Sequence, residues 1–143
     1  MKQIVGNACG TVGILHSLAN NAETLHLGDG YLKTFLEKTA GMSPMERAIF
    51  LGEFEEISEA HETSAKEGDT EAPPPNTKVN LHFVSLVHRE GHLYELDGRR
   101  PFPINHGPTT AETFLNDAAA ICKRYMERDP EEVNFNMIAL AAN

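Results

Sequence analysis

The sequence predicts an α+β fold in which a central antiparallel sheet is flanked by helices. Two observations carry this prediction. Apolar residues recur at helical spacing, with helix start signals, through the first third of the chain. A β-rich hairpin pattern then takes over and is followed by one further helix. A length of 143 residues fits a single domain that could bury about two-thirds of its unfolded surface. No internal repeat is visible, so residues 1–143 are read as one domain.

The first helix is expected from about Asn7 to Asn20. Asn7 would be its N-cap, and Val12, Leu15, Leu18 and Ala19 would share one face. A second helix runs from Asp29 through Leu32, Phe35 and Leu36 to Gly41 as its stop. The third is strongly signalled: Ser43-Pro44-Met45-Glu46 combines a capping box with proline at the first helical position. Ile49, Phe50, Phe54 and Ile57 mark its buried face. From His61 to Lys78 the composition turns acidic, Gly68 breaks structure and Pro73-Pro74-Pro75 is stiff. The segment reads as a long surface loop, and such loops are usually functional or disordered.

Val79–His88 and Gly91–Asp97 read as the two strands of a hairpin. Arg99–Pro103 carries two prolines and cannot be a central strand. Thr109-Thr110-Ala111-Glu112 is a second capping box. Its helix would turn Phe114, Leu115, Ala118, Ile121, Cys122 and Tyr125 inward and end before Asp129-Pro130. Val133–Ala142 reads as a final buried strand.

Composition excludes several classes. With 21 acidic against 12 basic residues the formal charge is −9, which argues against nucleic acid or an anionic membrane as main partner and favours a basic partner or none. The longest apolar run, Met137–Ala142, is far short of the roughly 20 residues of a membrane span. Met1-Lys2-Gln3 does not open a secretory signal. Two cysteines, Cys9 and Cys122, form no disulfide framework. A reducing intracellular setting is expected, the cytoplasm first and the nucleus second.

A thiol attacks as the thiolate, and the first turn of a helix favours negative charge through its unpaired N–H groups and its dipole. Cys9, between Ala8 and Gly10, fits that position; the plainer alternative is a small core residue. A nucleophilic cysteine needs a base, and the base needs an orienting group. If Arg89 and Glu90 form a two-residue hairpin loop, His82 lies directly opposite Asp97 on one sheet face, as an imidazole base requires. A three-residue loop would separate them, and a pair bonded only for stability is the competing reading. Gln3 offers a side-chain amide that could donate to an oxyanion, though alone it is only a polar residue near a terminus. A zinc reading of His82, His88 and His92 is disfavoured, because no Cys or His pair has typical spacing. His16, His26, His61 and His106 read as surface or cap residues. No cofactor motif is present.

Gln3-Ile4-Val5-Gly6-Asn7-Ala8-Cys9-Gly10-Thr11-Val12-Gly13 resembles the nucleophile segment of the ubiquitin carboxyl-terminal hydrolases, papain-like thiol proteases of the short single-domain type. Asn80-Leu81-His82-Phe83-Val84-Ser85-Leu86-Val87 resembles their histidine strand, and Gly91–Gly107 their aspartate segment. The order Gln, Cys, His, Asp matches, as does the 15-residue step from His82 to Asp97. The resemblance implies a papain-like fold and a deubiquitinating hydrolase. Cys9 would be the nucleophile, His82 the base and acid, Asp97 its orienter and Gln3 the oxyanion donor. Ubiquitin would be the partner, cut after its C-terminal glycine from small adducts or short peptides. Residues 61–78 would be an active-site crossover loop limiting leaving-group size. The resemblance also implies a segment before Gln3 that this chain does not include, so the expectation is an N-terminally truncated fold. On that ground a non-catalytic ubiquitin-binding module, or an inactive fragment, is the alternative.

Overall fold

The computed structural model describes residues 1–67, 77 and 79–141, and all that follows concerns those residues. Four helices come first: α1 (Cys9–Asn20), α2 (Tyr31–Thr39), α3 (Pro44–Glu53) and α4 (Glu55–Glu67). Strands β1 (Ser85–Arg89), β2 (His92–Leu96) and β3 (Ile104–Pro108) follow, and then α5 (Phe114–Met126). The strands form an antiparallel sheet in the order β1-β2-β3. The α+β expectation therefore holds.

The helical half closes on Val12, Leu15, Phe35, Leu51, Phe54 and Ile57. The rings of Phe35, Phe50 and Phe54 form its centre, with centroids 5.4 to 5.8 Å apart. A second, smaller core of Leu93, Ala118 and Ile121 joins the sheet to α5. Beside it lies Glu95, only 1% exposed. Its carboxylate accepts Tyr125 Oη at 2.7 and 2.8 Å and pairs with His106 Nε2 at 2.8 Å. Buried charge persists only when partnered in this way. Burial, with the Glu95 hydrogen bond and charge, pushes the Tyr125 phenol up to about 12.

α3 begins as its sequence demands. Ser43 Oγ accepts from Glu46 N at 3.3 Å, and Glu46 Oε2 accepts from Ser43 N at 2.7 Å. Its buried face differs from expectation: Ala48 and Leu51 are inside, while Ile49 is 47% exposed. Phe54 is extended (φ −89°, ψ 93°) and restarts the chain as α4, where Ile57 continues the core.

Other expectations need correction. His61–Glu67 is helical, not loop, because the run of Glu, Ala and Lys carries no glycine or proline before Gly68. The remainder of the expected loop, apart from Thr77, lies outside the described residues. Residues 79–84 form no strand, so β1 starts at Ser85. The hairpin loop is Glu90-Gly91, not Arg89-Glu90, since both residues adopt positive φ (51° and 76°) as a tight two-residue turn requires. β3 was not anticipated. Residues 133–141 are not a strand, and Val133 and Ile138 are more than 80% exposed. Met137 Sδ instead lies 3.5 Å from Cys122 Sγ on α5. α5 starts at Phe114 rather than behind a Thr109–Glu112 box. Thr110 and Thr113 exchange backbone-to-hydroxyl bonds of 3.1 and 3.3 Å, and Leu115 faces outward.

Candidate active site

The nucleophile candidate sits at a helix start. Cys9 is the first residue of α1. Asn7, expected as N-cap, instead takes a left-handed turn (φ 55°), and Ala8 is the N-cap. The Ala8 carbonyl accepts the first helical bond from Val12 N at 2.9 Å. No side chain caps the helix and no acidic residue occupies its first turn. Its leading N–H groups thus present positive potential around Cys9, which is half-buried and free.

The histidine and the aspartate meet. His82 Nε2 lies 2.7 Å from Asp97 Oδ1, with only 16% and 10% of the two side chains exposed. A carboxylate accepts but does not donate, so Nε2 carries the proton and Nδ1 carries the lone pair. Nδ1 is buried without a partner among the described residues. An orphaned buried acceptor costs about 1–3 kcal/mol.

Asp97 is itself held. Its Oδ1 also accepts from Arg99 N at 2.8 Å, and Arg100 Nε stands 3.6 Å from Oδ2. Burial pushes this carboxyl up, but the hydrogen bonds from His82 and Arg99 and the neighbouring positive charges outweigh it. The pKa settles below the ordinary aspartate value. The same Arg99 bond turns the chain away after Leu96 and ends the ladder at the Ser85–Leu96 pair. The expected cross-strand pairing is therefore incorrect in register. In the observed register His82 would not face Asp97, and the pair forms beyond the end of the sheet.

Gly98 draws the remaining pieces together. Its carbonyl accepts Gln3 N at 2.9 Å. Its Cα lies so close to Gln3 and to Val12 of α1 that an added Cβ would stand 2.7 Å from Gln3 Cβ. On the other side, a Cβ on Gly10 would lie 3.8 Å from the ring of Phe83, the neighbour of His82. The segments of all four sequence-identified residues thus converge on the start of α1. Among the described residues, His82 and Asp97 are the pair of this set joined by a hydrogen bond. Gln3 donates from Nε2 to the carbonyl of Val5 at 3.1 Å, and its buried Oε1 has no partner among the described residues.

Sequence reasoning missed several neighbours. Thr11 Oγ1 in the first turn of α1 lies 2.9 Å from His61 Nδ1 of α4. Asn7 Nδ2 donates to the Thr77 carbonyl at 3.2 Å. His16 and His106 are not surface residues. His16 is 7% exposed inside α1, and His106 is paired to Glu95. Burial first, then the Met1 ammonium, pushes the His16 imidazole down to about 4. His88 stacks on Phe114, and His82 is off the strand, so the histidines do not share one face.

Residues 1–127 match the family described as ubiquitin carboxyl-terminal hydrolase, family 1. The chain belongs to the ubiquitin carboxyl-terminal hydrolase family. It is 50% identical over 141 residues to a probable ubiquitin carboxyl-terminal hydrolase of Dictyostelium discoideum, covering 98% of this chain and 55% of that protein. It is 47% identical to the human ubiquitin carboxyl-terminal hydrolase isozyme L1, covering 98% of this chain and 62% of that one. The chain thus spans less than two-thirds of these hydrolases. Its fold matches the catalytic domain of UCH37 from Trichinella spiralis, solved bound to ubiquitin vinyl methyl ester. The TM-score is 0.74 at 24% identity, over 93% of this chain and 58% of that one. That likeness establishes the papain-like fold.

Proposed function

We propose that this chain is a thiol-dependent deubiquitinating hydrolase that releases small adducts or short peptides from the C-terminal glycine of ubiquitin. The observation that carries the reading is the buried His82–Asp97 pair at 2.7 Å, with Phe83, the neighbour of His82, lying close to Gly10, the neighbour of Cys9. In this mechanism His82 Nδ1 takes the Cys9 proton, and the sulfur attacks the carbonyl carbon of the ubiquitin glycine. Asp97 keeps the ring in the right tautomer and stabilises its charged form. A second Nε2 hydrogen of Gln3, beyond the one given to Val5, is the donor for the tetrahedral oxyanion. The leaving amine takes the proton back from His82, and water then hydrolyses the thioester. A cytoplasmic setting with access to the nucleus suits a free thiol nucleophile.

The contacts at His61 and Thr77 support the crossover reading of residues 61–78. The chain leaves the site at Thr11–His61 and is back at Asn7–Thr77, so both anchors lie within two residues of Cys9. A connection pinned at both ends beside the nucleophile favours thin leaving groups.

The test is turnover of a ubiquitin C-terminal fluorogenic reporter. The parent and Cys122→Ser should hydrolyse it at similar rates, and Cys9→Ser should not. Comparable loss in both variants would reject Cys9 as the nucleophile.

A further inference from the structure

We infer that Gly98 is a positioning residue for the reaction, holding the Gln3 amide at the oxyanion site; this rests on the hydrolase reading above. Gly98 follows Asp97 directly and is buried. Its carbonyl takes the backbone N–H of Gln3 at 2.9 Å, so it fixes where the Gln3 backbone lies. The missing side chain fixes how closely. A Cβ here would meet Gln3 Cβ at 2.7 Å, Val12 Cγ1 at 3.0 Å and Gln3 N at 3.1 Å. Ordinary contact begins at 3.4 Å, so any side chain would drive Gln3 or Gly98 away by some tenths of an ångström. The nearest atoms include backbone and a Cβ, which cannot swing aside as the tip of a long side chain can.

The need for glycine here is steric, because its φ is not in the left-handed region. One small residue therefore joins three parts of the site. It continues the turn that carries Asp97, it takes the Gln3 backbone bond, and it packs on α1 one turn beyond Cys9. A misplacement of about 1 Å in a reacting group can cost about a hundredfold in rate. Gln3 is the group that Gly98 touches most closely, so the loss should appear in the chemical step and not in ubiquitin binding.

The experiment is a double-mutant cycle on the full chain with the ubiquitin reporter, alongside hydrogen exchange at the Gln3 backbone amide. Gly98→Ala should lower kcat roughly ten- to a hundredfold with KM changed less than about twofold. In a Gln3→Ala background the same change should cost less than about threefold, because the donor is already gone. Equal losses in both backgrounds would mark Gly98 as merely structural and overturn the assignment, as would an unchanged kcat. The Gln3 amide should exchange at least about tenfold faster in Gly98→Ala, since its acceptor has moved. This readout needs no turnover. If the parent chain does not hydrolyse the reporter, the hydrolase reading fails, and unchanged exchange would separately refute the role of Gly98. Should Gly98→Ala not fold, Gln3→Gly/Gly98→Ala decides: cooperative folding of the pair locates the clash at Gln3, and failure of both overturns the assignment.

Discussion

Replacing Asp97 by asparagine isolates what its charge contributes. Asp97 Oδ1 accepts from His82 Nε2 at 2.7 Å and from Arg99 N at 2.8 Å. An asparagine carbonyl can accept both bonds in the same place, so the geometry survives and the charge is lost. A hydrogen bond to a charged group is worth about 1.5–3 kcal/mol and a neutral one about 0.5–1.5, a difference of about 1–2 kcal/mol. If that difference is felt when the imidazole is charged in the transition state, kcat falls roughly five- to thirtyfold. Steady-state kinetics on the ubiquitin reporter measure this loss. A kcat within twofold of the parent, or a loss confined to KM, would refute the view that Asp97 serves His82.

Asp97 is held below the ordinary aspartate value. The stability it contributes is present above the unfolded pKa, about 3.9, and lost only as pH falls through its depressed folded value. Urea midpoints should thus show no Asp97-dependent change between pH 5 and 8. His16 behaves differently: with its pKa near 4 in the fold, the unfolded chain binds a proton first as pH falls below about 6.5. Stability should drop by at most about 1.4 kcal/mol per pH unit in that window, and His16→Gln should flatten the slope. Phe35→Ala, which empties the centre of the helical core at a residue 2% exposed, should cost about 3–5 kcal/mol in chemical denaturation. Gly-Ser insertion between His61 and Thr77 should raise cleavage of bulky adducts relative to the small reporter, since each doubling of loop length costs only about 0.6 kcal/mol. Unchanged selectivity would reject the size-limiting role.

The site was more legible than the fold that builds it. Cys9 was placed at a helix start by reading Asn7 as the N-cap, and α1 does start at Cys9 although its cap is Ala8; the capping box at Ser43 placed the start of α3 to the residue. Ring and register arguments served less well. His82 and Asp97 were paired through a hairpin with the wrong turn, and they meet because Asp97 folds back on Arg99 N past the end of β2. A side-chain bond of that kind leaves no periodic trace. Its one sequence signal was the Asp97-Gly98 dipeptide, which marks a turn. β3 was hidden because Ile104-Asn105-His106-Gly107-Pro108 contains few strand formers. Val133–Ala142 had the composition of a strand, but composition does not supply a ladder partner, and residues 133–141 form no ladder among the described residues. Glu95 was unreadable as a buried residue because its burial depends on His106 and Tyr125, 11 and 30 positions away.

The central claim is that the Cys9 thiol attacks the C-terminal carbonyl of ubiquitin. Peptide mapping after incubation with ubiquitin carrying an electrophilic C-terminus tests it most directly. A covalent adduct on Cys9, absent in Cys9→Ser and slowed in Asp97→Asn, is the predicted result. An adduct on Cys122, or binding of the probe without any covalent capture, would contradict it.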